Sequence, residues 1–385
     1  MAHPLRGTSA IVGVGRAGCG NSGGRSHLEQ IGEAVHYALE ECGLKKSDID
    51  GVWNANLVNF MPALTIPEYL GIKPKISDGT NLGGSSFLSH MVMAAAAIKT
   101  GLCEVALVCY GSAQRSQGGK LQTSSDPAPY EYRYKPRNPP TTYALGAARH
   151  MYEFGTTREQ LAAVAVAARQ WALMNPEAFT HKDGPLTIED VMKSRMVCDP
   201  LTVRDCCLVT DGGAALIMTS AERAKDLKQK PVYLLGGAAA THNRAVSSMP
   251  DIVNTCAQES GRRAFDMAGI TTRDADVLAL YDAFTINVIL QLEDLGFVKK
   301  GEGGPFVASG AIGPGGSLPV NPNGGGLADV HPGMYGMFLT IEAVRQLRGT
   351  CGPRQVKDAK IAVCHGNGGS FSSQATNVLG TEETL

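Results

Sequence analysis

Short apolar runs alternate with longer amphipathic segments along the whole chain. Residues 9–14, 50–54 and 105–110 are compact apolar runs that predict buried strands. Residues 27–42 predict a helix, because five apolar side chains recur at helical spacing on one face: Ile31, Ala34, Val35, Ala38 and Leu39. Residues 85–99 are apolar nearly all round, as in a helix packed on both sides. The pattern predicts an α/β fold with mainly parallel sheets covered by helices.

The same order of elements recurs in the second part of the chain. Its members are a strand at 231–235, a helix at 251–268, a strand at 276–281, an apolar helix at 333–348 and a strand at 361–364. We therefore expect an internal duplication, with an N-terminal half over residues 1–225 and a C-terminal half over residues 226–385.

One region, residues 118–157, has no counterpart in the second half. It contains several prolines, scattered Arg and Lys residues and the five tyrosines 130, 132, 134, 143 and 152. Long connections of this kind usually serve function. We predict a loop region on the substrate side of the protein.

Composition excludes several classes of function. The chain has 385 residues, with 35 basic and 36 acidic side chains, so no positive surplus favours nucleic acid. The 10 cysteines lack the spacing of a disulfide framework or a metal site. Neither a signal peptide nor a membrane span is apparent, which favours a soluble, cytoplasmic protein.

A Gly13-x-Gly15-x-x-Gly18 pattern imitates a dinucleotide fingerprint. That fingerprint requires a helix to begin at its last glycine, so that the helix N-terminus meets the pyrophosphate. Here loop-forming residues follow Gly18, and we predict only a Gly-rich turn.

Four Gly-rich segments are candidates for chemistry. They are Asn81–Ser86 (NLGGSS), Tyr281–Thr285 (YDAFT), Gly324–Gly336 (GGGLADVHPGMYG) and Cys364–Gly369 (CHGNGG). In this order they resemble the four active-site blocks of the thiolase superfamily, and most of all its sterol-carrier-protein-type branch. The resemblance implies the five-layered αβαβα sandwich built from two duplicated halves, and a homodimer.

The departures from that family concern its two catalytic cysteines. Asn81 stands where a thiolase has its nucleophilic cysteine. In the second block Tyr281 replaces a histidine, and Ala283 replaces the acid–base cysteine. His331-Pro332 keeps the family's His-Pro pair, and Tyr335 stands where a small residue is usual. Acyl transfer through cysteine is therefore not expected.

The remaining groups resemble those of the thiolase-like aldolases of steroid side-chain breakdown. By that resemblance His331 stabilises an enolate at a thioester oxygen, and Tyr281 and Tyr335 act as acid and base, with Tyr335 the favoured base. The expected reaction is retro-aldol cleavage of a β-hydroxyacyl-CoA to a ketone and a short acyl-CoA such as propionyl-CoA. Asn81, Ser85 and His365 are expected to contact the substrate.

Each of these residues also has a structural interpretation. Tyr281 and Tyr335 suit core packing, Asn81 suits a helix N-cap, and His365 suits a bond to backbone. Two other functions stay open: a non-catalytic subunit of a heteromeric enzyme, and an atypical acyltransferase using a cysteine such as Cys364. The resemblance further implies a partner subunit with an OB fold and a zinc ribbon in a heterotetramer, and no cofactor beyond the CoA of the substrate.

Overall fold

The computed structural model describes residues 3–118 and 130–385 of the chain. Most of the predicted region at 118–157 is included, and its residues 119–129 lie outside the description. The helices are α1 (His27–Cys42), α2 (Pro62–Leu70), α3 (Ser86–Lys99), α4 (Gln114–Gly118), α5 (Pro140–Phe154), α6 (Arg158–Leu173), α7 (Ile188–Lys193), α8 (Ala221–Ala224), α9 (Ala257–Ala268), α10 (Thr285–Asp294), α11 (Gly303–Ala308), α12 (Gly325–Ala328) and α13 (Gly336–Arg348). The strands are β1 (Ser9–Gly20), β2 (Gly51–Asn54), β3 (Ile76–Asp78), β4 (Val105–Ser112), β5 (Met196–Cys198), β6 (Leu201–Thr202), β7 (Asp211–Ser220), β8 (Val232–Thr241), β9 (Val277–Leu280), β10 (Ile361–Gly368) and β11 (Ser373–Gly380).

The main sheet joins two similar sets of strands. Its order is β3-β2-β4-β7-β1-β8-β11-β10-β9, and β1 pairs with β8 where the two sets meet. β2 lies parallel to β4 as β9 lies parallel to β10, and β7 and β11 follow in antiparallel register. An isolated parallel bridge from Leu278 to Val320 stands where the first set has β3. The strand topology of one set is thus repeated in the other.

The prediction of mainly parallel sheets is wrong. Of the eight neighbouring pairs in the main sheet, the five in the middle are antiparallel: β4-β7, β7-β1, β1-β8, β8-β11 and β11-β10. The prediction failed because β7 and β11 were not recognised as strands. β11 directly follows the turn after β10, without a helix between them, so the two strands must run antiparallel.

The helices form three layers around the two sets of strands. α1 packs on β1 and β7, and α9 packs on β8 and β11, while α3 and α13 contact each other and strands of both sets. Gly13 and Gly15, of the dinucleotide-like pattern, lie inside β1, where a Cβ atom would approach the carbonyl oxygens of Ala38 and Ala34 to 2.2 and 2.0 Å. These glycines therefore serve close packing of α1 on the sheet. The predicted five-layered α/β thiolase fold is confirmed.

Individual elements agree with the prediction to different degrees. α1 has the predicted bounds, whereas α9 begins only at Ala257, after an Asp251 turn whose carboxylate accepts the Val253 N–H at 3.0 Å. In the 118–157 region, α5 occupies residues that were predicted as loop. Within the described ranges, every helix is too short or too polar to cross a membrane.

Candidate active site

A large cavity opens where the four Gly-rich segments meet. Its volume is about 1030 Å³, and we call it the main cavity. Asn81, Tyr281 and His331 line it, as predicted from the sequence. Ser85, Tyr335 and His365 are buried and are not among the lining residues. The structure therefore brings three of the six candidates to the cavity and places the other three behind its wall.

The first segment forms the turn that leads into α3. The Asn81 side chain accepts the N–H of Gly83 at 2.9 Å, and Ser86 Oγ accepts the N–H of Leu82 at 2.7 Å. Ser85 Oγ lies 2.6 Å from Ser373 Oγ of β11 and donates to the Leu82 carbonyl at 2.9 Å. Ser85 thus joins the turn to β11, and the expectation that it contacts substrate does not agree with its position.

Tyr281 follows the last residue of β9 and extends its ring to the start of α3. A Cβ atom on Gly84 would lie 2.1 Å from Tyr281 Cε2, so only glycine fits there. The Tyr281 hydroxyl accepts the N–H of Tyr335 at 3.1 Å and donates to the Gly333 carbonyl at 3.4 Å. Burial raises the pKa of Tyr281 well above its usual value, and the N–H of Tyr335 opposes that shift. The phenol at the cavity wall is protonated at neutral pH.

His331 lies in a loop of the second half of the chain that residues of the first half hold in place. Its N–H donates to Thr210 Oγ1 at 2.9 Å, and the next carbonyl, that of Pro332, accepts the Tyr110 hydroxyl at 2.5 Å and Gln114 Nε2 at 3.1 Å. The backbone at His331 is thereby fixed independently of the ring.

The His331 ring itself is buried, and no described residue forms a hydrogen bond with it. The residue is 2% exposed, and neither Nδ1 nor Nε2 forms a hydrogen bond within the described chain. Its plane is perpendicular to the Tyr281 ring, with 5.6 Å between centroids. Burial lowers the pKa of His331 to about 4, so the ring is neutral at physiological pH, with one N–H available to a ligand.

Tyr335 directs its hydroxyl away from the main cavity. The hydroxyl accepts a hydrogen bond from Asn323 Nδ2 at 2.9 Å and lies 3.2 Å from Asn323 Oδ1. Burial raises the pKa of Tyr335 well above its usual value, and the carboxyl groups of Asp282 and Asp329 raise it further. A fully buried hydroxyl that is bonded to Asn323 and absent from the cavity lining does not agree with the expectation that Tyr335 is the base.

His365 has partners at both ring nitrogens. Nδ1 pairs with Thr376 Oγ1 at 2.8 Å and Nε2 with Gln374 Oε1 at 2.8 Å. Gln374 in turn donates to Asn367 Oδ1 at 2.8 Å. His365 therefore supports a hydrogen-bond network behind the cavity instead of contacting substrate directly.

That network ends at two lining residues that sequence reasoning missed. Asn367 donates to the Tyr143 hydroxyl at 2.7 Å, and the Tyr143 ring stacks on Phe284 with 4.3 Å between centroids. Asn367 belongs to the fourth Gly-rich segment, and Tyr143 to the region set aside at 118–157. Both signals were present, but only the fold shows that Tyr132 and Tyr143 of the five tyrosines, and Asn367 of the segment, face the cavity.

The cysteines are poorly placed for nucleophilic chemistry. Among the described lining residues, Cys207 is the only cysteine, and burial raises its thiol pKa well above the usual value. Cys364, the alternative nucleophile considered from the sequence, is fully buried, and burial raises its pKa as well. Since the thiolate is the reactive form, neither residue is activated.

Comparisons with known proteins agree with this fold. Residues 238–381 match the family model described as "Thiolase C-terminal domain-like". The chain is 36% identical to an acetyl-CoA acetyltransferase of Methanothermobacter thermautotrophicus, over 96% of this chain and 98% of that protein. It is 34% identical to a 17-hydroxy-3-oxo-4-pregnene-20-carboxyl-CoA lyase of Mycobacterium tuberculosis, over 90% of this chain and 93% of that protein. A solved structure titled "Ltp2-ChsH2(DUF35) aldolase" superposes with a TM-score of 0.90 at 32% identity, covering 99% of this chain and 100% of that one.

Proposed function

We propose, since the chain belongs to the thiolase superfamily, that it is a carbon–carbon lyase that cleaves a β-hydroxyacyl-CoA by a retro-aldol reaction. The substrate is a steroid side-chain thioester, and the products are a ketone and a short acyl-CoA such as propionyl-CoA. The observation that carries the proposal is that two groups meet at one cavity: the Tyr281 phenol and the neutral His331 ring, which forms no hydrogen bond to the residues that the structure describes. The likeness to a steroid acyl-CoA lyase and to a solved aldolase supports it.

In the proposed reaction Tyr281 transfers the proton, and His331 stabilises the negative charge that develops on the substrate. Tyr281 first releases its own phenol proton to solvent. The resulting phenolate takes the proton of the β-hydroxyl group as the Cα–Cβ bond breaks, which leaves a ketone and an enolate. The His331 N–H donates to the enolate oxygen, where negative charge develops. Tyr281 then returns the same proton to the α-carbon, so the step is balanced and redox-neutral and requires no cofactor beyond the CoA of the substrate.

The main cavity suits a bulky substrate. Its volume of about 1030 Å³ is at the upper end of the range of roughly 300–1,000 Å³ typical of ligand sites. Apolar groups of Leu82, Phe284 and Met334 line it, and Lys135 and Arg244 lie among the lining residues with positive charge. We assign the apolar wall to the acyl part and the two cations to the phosphates of CoA.

An acyltransferase is the second candidate, favoured by the identity with an acetyl-CoA acetyltransferase. That chemistry requires an activated thiolate at the cavity, and Cys207 and Cys364 do not supply one. A non-catalytic subunit is the third candidate, but it gives no role to a neutral His331 beside Tyr281. We therefore place the lyase first.

We further propose that the chain works as a homodimer together with an OB-fold, zinc-ribbon partner subunit. The segment before the edge strand β3 exposes a series of large apolar side chains, which supports a self-association surface: Leu57, Val58, Phe60, Met61, Leu64 and Tyr69. The two-component name of the matched aldolase structure supports a partner.

The test is product formation by the purified chain, with and without a co-expressed OB-fold partner. A steroid-derived β-hydroxyacyl-CoA is supplied, and propionyl-CoA is followed by mass spectrometry. Tyr281→Phe should abolish release, whereas Tyr233→Phe, which alters a buried tyrosine in β8 outside the cavity lining, should not. Unchanged release by Tyr281→Phe would refute the mechanism.

A further inference from the structure

A buried chain of hydrogen bonds runs from β1 to the Tyr335 hydroxyl. Arg16 and Asp329 form a two-point ion pair, with Nη1–Oδ2 and Nη2–Oδ1 distances of 2.9 and 2.8 Å. Asn323 donates one N–H to Asp329 Oδ2 at 2.7 Å and the other to Tyr335 at 2.9 Å. Asp329 and Asn323 are each 1% exposed, and Tyr335 is fully buried. These hydrogen-bonded side chains therefore lie in the interior and not on the cavity wall.

The Tyr335 ring also packs against two other rings. Its plane is nearly parallel to those of His331 and Phe338, with 6.2 Å between centroids in each pair, and the Arg16 guanidinium lies 5.8 Å from the Phe338 centroid. A side chain held at its hydroxyl and packed in this way cannot shift without breaking buried polar bonds, which is costly.

The main chain of Tyr335 contacts the reacting group directly. Its N–H donates to the Tyr281 oxygen at 3.1 Å, and α13 begins at the next residue, so this N–H belongs to the positive end of that helix. A donor of this kind bonds more strongly to a phenolate than to a phenol. Tyr335 thus stabilises the ionised form of Tyr281 through its backbone.

We propose that Arg16, Asp329 and Asn323 are positioning residues that hold Tyr335 by its phenol, so that its main-chain N–H remains on the Tyr281 oxygen. In the catalytic cycle this inference rests on the proposed role of Tyr281. Under this proposal Tyr335 has a function although its hydroxyl lies away from the main cavity and does not reach the substrate.

Among the described residues, the titratable groups around Tyr281 are neutral, with one exception. Protonated phenols, a thiol and an uncharged imidazole surround it: Tyr110, Tyr143, Tyr335, Cys207 and His331. The exception is the neighbouring Asp282, whose carboxyl accepts the N–H of Gly326 at 2.6 Å and whose pKa burial raises to about 7. Above pH 8 these groups keep constant charge, and an alkaline shift of Tyr281 ionisation can be read without interference.

The experiment measures that ionisation in the full chain without substrate. A difluorotyrosine incorporated at position 281 brings the ionisation into the range where the protein stays folded, and ¹⁹F NMR follows it. Tyr335→Phe removes only the anchoring hydroxyl, and Asn323→Ala removes its partner. Each should move the midpoint upward by about one pH unit, equivalent to a tenfold change, and the double variant should move it no further, because the two changes break one link.

The matched control is Tyr233→Phe, which should leave the midpoint in place. An unchanged midpoint in folded Tyr335→Phe would overturn the inference. So would loss of cleavage at every pH in Tyr335→Phe without a shift, because the phenol would then react directly. Since the titration uses no substrate, it gives an answer even if the wild-type protein cleaves no β-hydroxyacyl-CoA.

Discussion

Replacing His331 by leucine should separate catalysis from stability. The ring forms no hydrogen bond to residues 3–118 or 130–385, and the backbone bond to Thr210 remains, so the change removes no polar contact seen in the structure. We expect the free energy of unfolding to change by less than about 1 kcal/mol. Removing this donor to a developing oxyanion should lower kcat/KM by about 10²–10³-fold, or roughly 3–4 kcal/mol. Activity should fall far more than stability, because the His331 ring is expected to form its hydrogen bond with the transition state and not with the folded protein.

His365→Leu is the matched control, because that ring is equally buried but has partners at both nitrogens. It should destabilise the fold by about 2–4 kcal/mol through the partners left unpaired. Urea unfolding gives both stabilities, and propionyl-CoA release gives both activities. A His331→Leu enzyme with more than a tenth of wild-type kcat/KM would refute the oxyanion assignment. A loss of stability matching that of His365→Leu would show that the ring has structural partners.

Four further outcomes are expected. Gly84→Ala should displace the Tyr281 ring, since the added Cβ would lie 2.1 Å from it, and should lower kcat at least tenfold while the circular dichroism spectrum stays native. Cys207→Ala should keep most activity, measured by product release, because its thiol is protonated at neutral pH; complete loss would revive acyl transfer. Phe60→Asp, at a residue 82% exposed, should shift the protein to monomer in light scattering, whereas a dimer of unchanged stability would place the interface elsewhere. Finally, the free energy of unfolding should fall as pH falls from about 6.5 to 4, by up to about 4 kcal/mol per pH unit. In this range three histidines bind protons in the unfolded chain but stay neutral in the folded protein, where burial lowers their pKa to about 4: His90, His331 and His365. Urea titrations at several pH values test this, and a flat dependence would contradict it.

The sequence was most informative where one pattern had one structural explanation. Helical spacing located α1 within its observed bounds, and the His-Pro context located His331 at the cavity. Ser85 and His365 lie in equally recognisable segments, yet their orientation depends on which face of a turn or strand meets the cavity. For His365 that choice is set by Thr376 and Gln374 on β11, a strand that was not predicted.

Tyr335 shows a second limit of sequence reasoning. A tyrosine beside a catalytic histidine suggested a reacting phenol, but Asn323 and the Arg16–Asp329 pair turn the hydroxyl inward. Arg16 lies 313 residues before Asp329 in the sequence, and no local pattern indicates that the two form a pair. Only the packed fold brings them together, as it does Tyr143 and Asn367 at the cavity wall.

The pairing of β1 with β8 makes the two halves inseparable as working parts. β1 begins the first half but continues the sheet of the second, and Tyr110 and Gln114 of the first half hold the His331 loop of the second. Two separately expressed fragments, divided between Ala224 and Val232, would each lack part of the site and expose the edge where the other belongs. Activity should return only when the two fragments are mixed. We therefore expect the halves to complement each other as separate fragments, as they do when joined by the short connection in the intact chain.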